Sequence, residues 1–210
     1  MKRVLISAAG ILAAYALFAS FSAGKPIMGA TTDYTIAAPV LAAGETVPAY
    51  YGSDFGYWHP PLFVRLLGFA MKVFGETPAA QKSIGMACFA VNLLMIILIM
   101  RAMNAAGAAA VTALALYGLS PYAIQGSLVL EIDTTILVTL TLVFCLYFVK
   151  RCGRMDNKSS VALSALAALV AWAKLPGAAA ILGSLFLFAL LNRKSESKGE
   201  FGIKYFAFVA

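Results

Sequence analysis

The sequence is dominated by apolar runs too long for a small soluble core. Val4 to Ser22, Ser83 to Met100, Ala105 to Leu119, Leu128 to Val149 and Val161 to Leu191 carry little charge and occupy about half of the 210 residues. A helix of about 20 apolar residues matches the roughly 30 Å hydrocarbon core of a bilayer. Composition agrees: 62% of the residues are hydrophobic and 12% charged, where a soluble domain is about half apolar and a quarter charged. A membrane β-barrel would show short alternating strands, and the sequence has none. The expected fold is therefore an all-α, polytopic transmembrane helical bundle. The net charge of +7 fits cationic loops against anionic lipid, so no nucleic-acid partner is expected. Cys88, Cys145 and Cys152 form no CxxC pair and read as buried or inert thiols.

Charge sets the expected topology. Lys2, Arg3, Arg101, Lys150, Arg151, Arg154, Lys158, Arg193, Lys194 and Lys198 flank the apolar runs, and the positive-inside bias puts them in the cytoplasm. Asp33, Glu45, Asp54, Glu76, Glu131 and Asp133 then fall on or near the outer side. The block Val161 to Leu191 is basic at both flanks and would be roughly 46 Å long as one straight helix. It is expected to cross twice, with Lys174-Leu175-Pro176-Gly177 near the outer turn; a single tilted, kinked helix is the alternative. This gives about six spans with a cytoplasmic N-terminus. A signal peptide cleaved near Phe21-Ser22-Ala23-Gly24 is the alternative reading of the first run. The final Lys204 to Ala210 resembles the first turns of another span, so the sequence is expected to be a fragment or a naturally shortened member of something larger.

Between the first two spans lies a polar interval that could not sit in lipid. Gly24, Pro26, Gly29, Pro39, Gly44, Pro48, Gly52 and Gly56 prevent it from being one helix, although a short piece such as Thr32 to Ala43 fits. Its aromatic residues Tyr50, Tyr51, Tyr57 and Trp58 suit a membrane interface. Pro60 and Pro61 then open Leu62 to Phe74, a helix too short to span, with Arg65 and Lys72 opposite its apolar surface. The expected layout is one membrane domain, 1–210, with an outer loop at 23–60, an interfacial helix at 61–75, the remaining spans at 83–195 and the start of a further span at 201–210.

Few residues are available for chemistry. Glu131 and Asp133 stand at the outer end of the fourth run; acids are favoured near a helix N-terminus, and ionisable groups at membrane depth are costly and usually functional. Lys174 reads either as a snorkelling lysine at a turn or as a cation for a phosphate. His59 is an interfacial hydrogen-bonding group, and one histidine cannot make a metal site alone. Arg65 and Lys72 are explained by the polar face of their helix. Such a collection suits a lipid phosphate lying in the bilayer, and equally a transporter vestibule.

The order of these features resembles the N-terminal part of the GT-C membrane glycosyltransferases, in the dolichyl-phosphate-mannose–protein mannosyltransferase-like branch that includes bacterial aminoarabinose transferases. The resemblance is carried by Asp33 in the first outer loop, His59-Pro60-Pro61-Leu62, the turn Phe74-Gly75-Glu76-Thr77-Pro78-Ala79-Ala80, Asp133 at the start of the fourth span, and Lys174 before Pro176-Gly177. It implies a donor sugar on a polyprenyl phosphate, membrane lipids around it, and a protein, lipid or glycan acceptor, with inverting transfer at the outer face of a bacterial inner membrane. The implied catalytic residues are Asp33 as general base, Lys174 on the leaving phosphate and Asp133 orienting acceptor, sugar or cation. His59, Arg65, Glu131 and Tyr57 complete the candidate substrate-binding set. A divalent metal stays open, since relatives differ in this and no ligand set is written in the sequence. The other classes are a catalytically inactive homologue or partner subunit, and a small-molecule or lipid transporter.

Overall fold

The computed structural model describes residues 2–26, 35, 37–40, 43, 62–129, 131–151 and 156–192. Its elements are α1 (Lys2–Ala23), α2 (Leu62–Phe74), α3 (Pro78–Ala102), α4 (Gly107–Gly118), α5 (Pro121–Leu128), a 3-10 turn (Ile132–Thr134), α6 (Ile136–Arg151), α7 (Asn157–Ala173) and α8 (Leu175–Asn192). No strand occurs among the described residues.

Local sequence sets the helix ends. Thr77 Oγ1 accepts the Ala80 N–H at 3.2 Å ahead of Pro78. Ser120 Oγ accepts that of Ala123 at 3.4 Å ahead of Pro121. Asp156 Oδ1 accepts that of Ser159 at 2.8 Å. Each cap satisfies an N–H that the helix leaves open, and a proline in the first turn forfeits no bond. Gly75, with φ of 83°, closes α2; that left-handed conformation costs glycine little.

Three clusters build the interior. Val4, Ala8, Tyr15 and Ala19 of α1 pack with Phe89 and Leu93 of α3, Ala110 and Leu114 of α4, and Ala123 and Leu128 of α5. Phe63, Val64, Leu67 and Met71 of α2 pack with Ala37, Ala38 and Ile132. Phe144 of α6 joins Leu163, Ala167 and Val170 of α7 and Ile181 of α8. Large apolar side chains point out, among them Leu5, Ile6, Leu17, Phe18 and Phe21 of α1 and Leu116 of α4, as they do where the solvent is lipid.

Helices α1, α3 and the stretch Ile132–Arg151 are long and apolar enough to cross a membrane, and α4 with α5 makes a fourth crossing if the bent pair counts as one. The chain is an integral membrane protein. The expected boundaries change in two places. Ser120-Pro121 is followed by a further helix, since Ser120 caps α5, which leaves α4 at a bend of 49°. The fourth run does not begin at Leu128, which closes α5; the helix proper begins at Ile136 after the 3-10 turn. The block expected to cross twice breaks at Lys174, where its turn was expected, into two helices of 17 and 18 residues. Helix α7 opens on polar Asn157-Lys158-Ser159-Ser160, and its 17 residues reach about 26 Å, short of the core thickness. Of the six expected crossings, three are met among the described residues, and four if the bent pair is one span.

Candidate functional site

Two elements place the site. The first is the 3-10 turn that carries Asp133. Its neighbours Ile132, Thr134 and Thr135 are buried: Ile132 inserts among the α2 side chains, while Thr134 presses on α5. A Cβ built on Gly126 would lie 1.9 Å from Thr134 Oγ1, so only a glycine admits the turn this closely. The backbone is tied as well. Glu131 N–H donates to the Gly126 carbonyl at 3.0 Å, and the Glu131 carbonyl accepts the hydroxyls of Thr135 at 2.6 Å and Thr134 at 3.2 Å. Asp133 is thus the one residue of the turn left with its side chain partly exposed.

The second element is the break between α7 and α8. Lys174 takes an extended backbone there, with φ of −162° and ψ of 121°. Its N–H still donates to the Val170 carbonyl at 2.8 Å, and its carbonyl accepts from the Gly177 N–H at 3.1 Å. Pro176, without an N–H, sits in the first turn of α8, where that group has no helical partner. The break therefore costs little hydrogen bonding, and the chain doubles back so that Ile181 meets the cluster of Leu163 and Ala167.

These elements bring two of the expected site residues together. Lys174 Nζ donates to Asp133 Oδ2 at 2.5 Å, with side chains 31% and 32% exposed. No other ion pair forms among the described residues. An apolar groove of about 540 Å³ leads away from the pair between α6 and α8. Asp133, Leu137, Thr141, Phe144, Phe148 and Ile181 line it, and among the described residues Asp133 is its only charged side chain.

The remaining expected residues are placed as follows. Arg65 lies exposed on α2, whose buried face packs against the Asp133 turn, and makes no ion pair among the described residues. Glu131 is half-buried and serves the turn through its backbone. Asp33, Tyr57 and His59 lie outside the described residues. Among the described residues, no three His, Cys, Asp or Glu side chains gather as a metal site.

Sequence reasoning passed over the polar groups that hold this end of the bundle. Lys82 is buried at the start of α3, where Nζ donates to the carbonyls of Ser22 at 2.6 Å and Lys25 at 2.8 Å and to Ser22 Oγ at 3.3 Å. It thereby satisfies carbonyls where α1 ends, the negative pole of that helix. Asn92, fully buried in α3, donates from Nδ2 to Tyr117 OH at 2.7 Å and accepts the Thr139 hydroxyl at 2.7 Å. Ser127 Oγ donates to the Ile124 carbonyl at 2.7 Å and receives the Tyr15 hydroxyl at 2.8 Å. A lone Asn or Lys in an apolar run was the available signal.

Comparison with known proteins completes the picture. No curated protein and no solved structure matches the chain. Residues 58–210 match the family described as dolichyl-phosphate-mannose-protein mannosyltransferase. That match covers α2 through α8 and includes both members of the ion pair. The chain belongs to the dolichyl-phosphate-mannose-protein mannosyltransferase family of GT-C membrane glycosyltransferases.

Proposed function

We propose that this protein transfers a sugar from a polyprenyl-phosphate donor to a protein, lipid or glycan acceptor at the outer face of a bacterial inner membrane, with inversion at the anomeric carbon. The observation that carries the reading is the Lys174–Asp133 pair at the end of the apolar groove between α6 and α8. A lipid phosphate needs a cation for its head and an apolar trough for its chain. The groove lining runs from Asp133 to Val149, with Leu137 to Val149 covering about 18 Å of α6, which suits a prenyl tail lying parallel to the span.

Each residue then has a task. The acceptor hydroxyl or amine attacks the anomeric carbon while Asp33 takes its proton. The bond from that carbon to the phosphate oxygen breaks, and its electron pair stays on the phosphate. Lys174, helped by Arg65 or His59, stabilises the charge that gathers there, and such preorganised charge is the largest contribution in many enzymes. Asp133 positions the Lys174 ammonium and accepts from a hydroxyl of the sugar or acceptor, while Tyr57 and Glu131 border the substrate. Attack opposite the leaving phosphate inverts the configuration.

The test is transfer of radiolabelled sugar from polyprenyl-phosphate donors in membranes containing the wild type, Asp33→Asn or Lys174→Gln. Transfer by the wild type with loss of about 10²-fold or more in both variants is expected. Inserted, folded protein that transfers nothing from any such donor would refute the reading and favour an inactive relative or a transporter.

A further inference from the structure

Resting on the reading of Lys174 as the phosphate site, we propose that Asp133 sets the balance between the two lipid phosphates of the reaction, keeping the product from being trapped. In the free protein, Lys174 is already neutralised by Asp133 at 2.5 Å. A phosphate that reaches Nζ takes one of its remaining N–H donors and lies beside that carboxylate. The two lipids differ in charge. The donor is a phosphodiester with one negative charge. Sugar transfer breaks its anomeric carbon–oxygen bond, gives the sugar to the acceptor oxygen or nitrogen and the acceptor proton to a base, and leaves a phosphomonoester. Above a second pKa of about 6 that monoester carries about two charges.

A lone lysine would bind such a product more tightly than the donor, because the attraction scales with the charge, and the enzyme would hold what it must release. The carboxylate opposes this in the same proportion: its repulsion of the dianion is twice its repulsion of the monoanion. Asp133 therefore cancels much of the preference that Lys174 creates. Glu131 lies on the same stretch as Asp133, and Arg65 and Lys72 lie on α2, which packs against Ile132. Their charges are common to wild type and variant, so comparing the change in the two lipids isolates Asp133. One unit charge against another at about 4 Å in near-aqueous surroundings changes binding roughly fivefold.

The experiment measures equilibrium binding of a short-chain polyprenyl phosphate and of its methyl phosphodiester to the full chain in lipid nanodiscs. At about pH 8, where the monoester is dianionic, Asp133→Asn is expected to tighten the diester about fivefold and the monoester about twenty-fivefold. At about pH 5 the two lipids should tighten alike, because the monoester is then a monoanion. Lys174→Gln should weaken both, the monoester more. Weaker binding by Asp133→Asn, or equal tightening of both lipids at about pH 8, would overturn the proposal while leaving the phosphate site standing. Should that variant fail to fold, Asp133→Ser and the wild type still decide. A wild-type preference for the monoester that climbs about fivefold from pH 5 to pH 8 would mean that Asp133 cancels nothing. Binding of neither lipid by any form would overturn the reading of Lys174 itself, and this proposal with it.

Discussion

Replacing Gly126 by alanine should damage the site without touching any residue in it. The new Cβ would lie 1.9 Å from Thr134 Oγ1, 2.7 Å from its Cβ and 2.9 Å from its Cγ2. Ordinary contact needs about 3.5 Å, so something must move by more than an ångström. Helix α5 has little room to retreat. On its far side, a Cβ at Gly85 of α3 would meet the Ser127 carbonyl oxygen at 1.9 Å, and Tyr15 holds Ser127 by hydrogen bond. The turn is the part that yields, and Asp133 moves with it. Overpacking of this kind costs about 1–3 kcal/mol, and a misplacement of about 1 Å costs about 10²-fold in rate. The assay pairs initial rates of sugar transfer with thermal unfolding in detergent. Gly10→Ala is the control, since nothing lies within 4 Å of a Cβ there; it should leave the rate unchanged and raise stability by up to about 1 kcal/mol. Equal rates and equal unfolding for Gly126→Ala and wild type would refute the claim that this contact positions the turn.

Two further outcomes follow from groups outside the pair. Asn92→Leu removes the link between Tyr117 and Thr139 and should lower stability in detergent by about 1–2 kcal/mol; an unchanged unfolding midpoint would show that the three side chains are not coupled. Asp156 caps α7 outside the membrane-spanning helices. The hydrogen bond of its side chain with Ser159 comes first among the causes that hold its carboxyl below the ordinary range, followed by the Ser159 backbone N–H. A depressed carboxyl contributes its stability above the unfolded-state pKa and loses it as pH falls through the folded one. Hydrogen exchange at Ser159 should therefore lose protection only as pH falls below the ordinary carboxylate range, relative to Asp156→Asn. Parallel losses in the two forms would remove the charge from the explanation.

What the sequence made legible divides along physical lines. Helix and membrane were readable because a backbone in lipid must satisfy its own hydrogen bonds, so long apolar runs have one solution. The limits of α2 were readable because Pro61 and Gly75 act on the chain locally. Pro121 misled for a related reason. A proline is a stop for the helix before it and a first turn for the helix after it, and only the geometry shows that a second helix, α5, follows α4 across the bend. The buried face of each span was not readable. When the surroundings are as apolar as the interior, the alternation that marks a core in water is absent, and the inside is chosen by features such as Gly85 against Ser127 and Asn92 against Tyr117 and Thr139. Asn92 and Lys82 were visible as residues, but their partners come from helices distant in sequence, and no local pattern names them.

The candidate site lies between these cases, and the cost of charge in lipid explains why. Each ionisable group near the membrane interior must find a partner or water, so a chain of this kind keeps few of them. Among the described residues at this end of the bundle, Glu131 and Asp133 are the carboxylates of the stretch before α6, and Lys174 is the cation of the break before α8. Each was conspicuous alone because it interrupts an apolar run. With two acids and one lysine, very few pairings exist, and backbone geometry selects one of them. Thr134 and Thr135 turn inward and bond to the Glu131 carbonyl, which leaves Asp133 as the acid that reaches Lys174. Scarcity of charge makes such sites guessable residue by residue, while their contacts depend on the close-packed glycine that no charge pattern reveals.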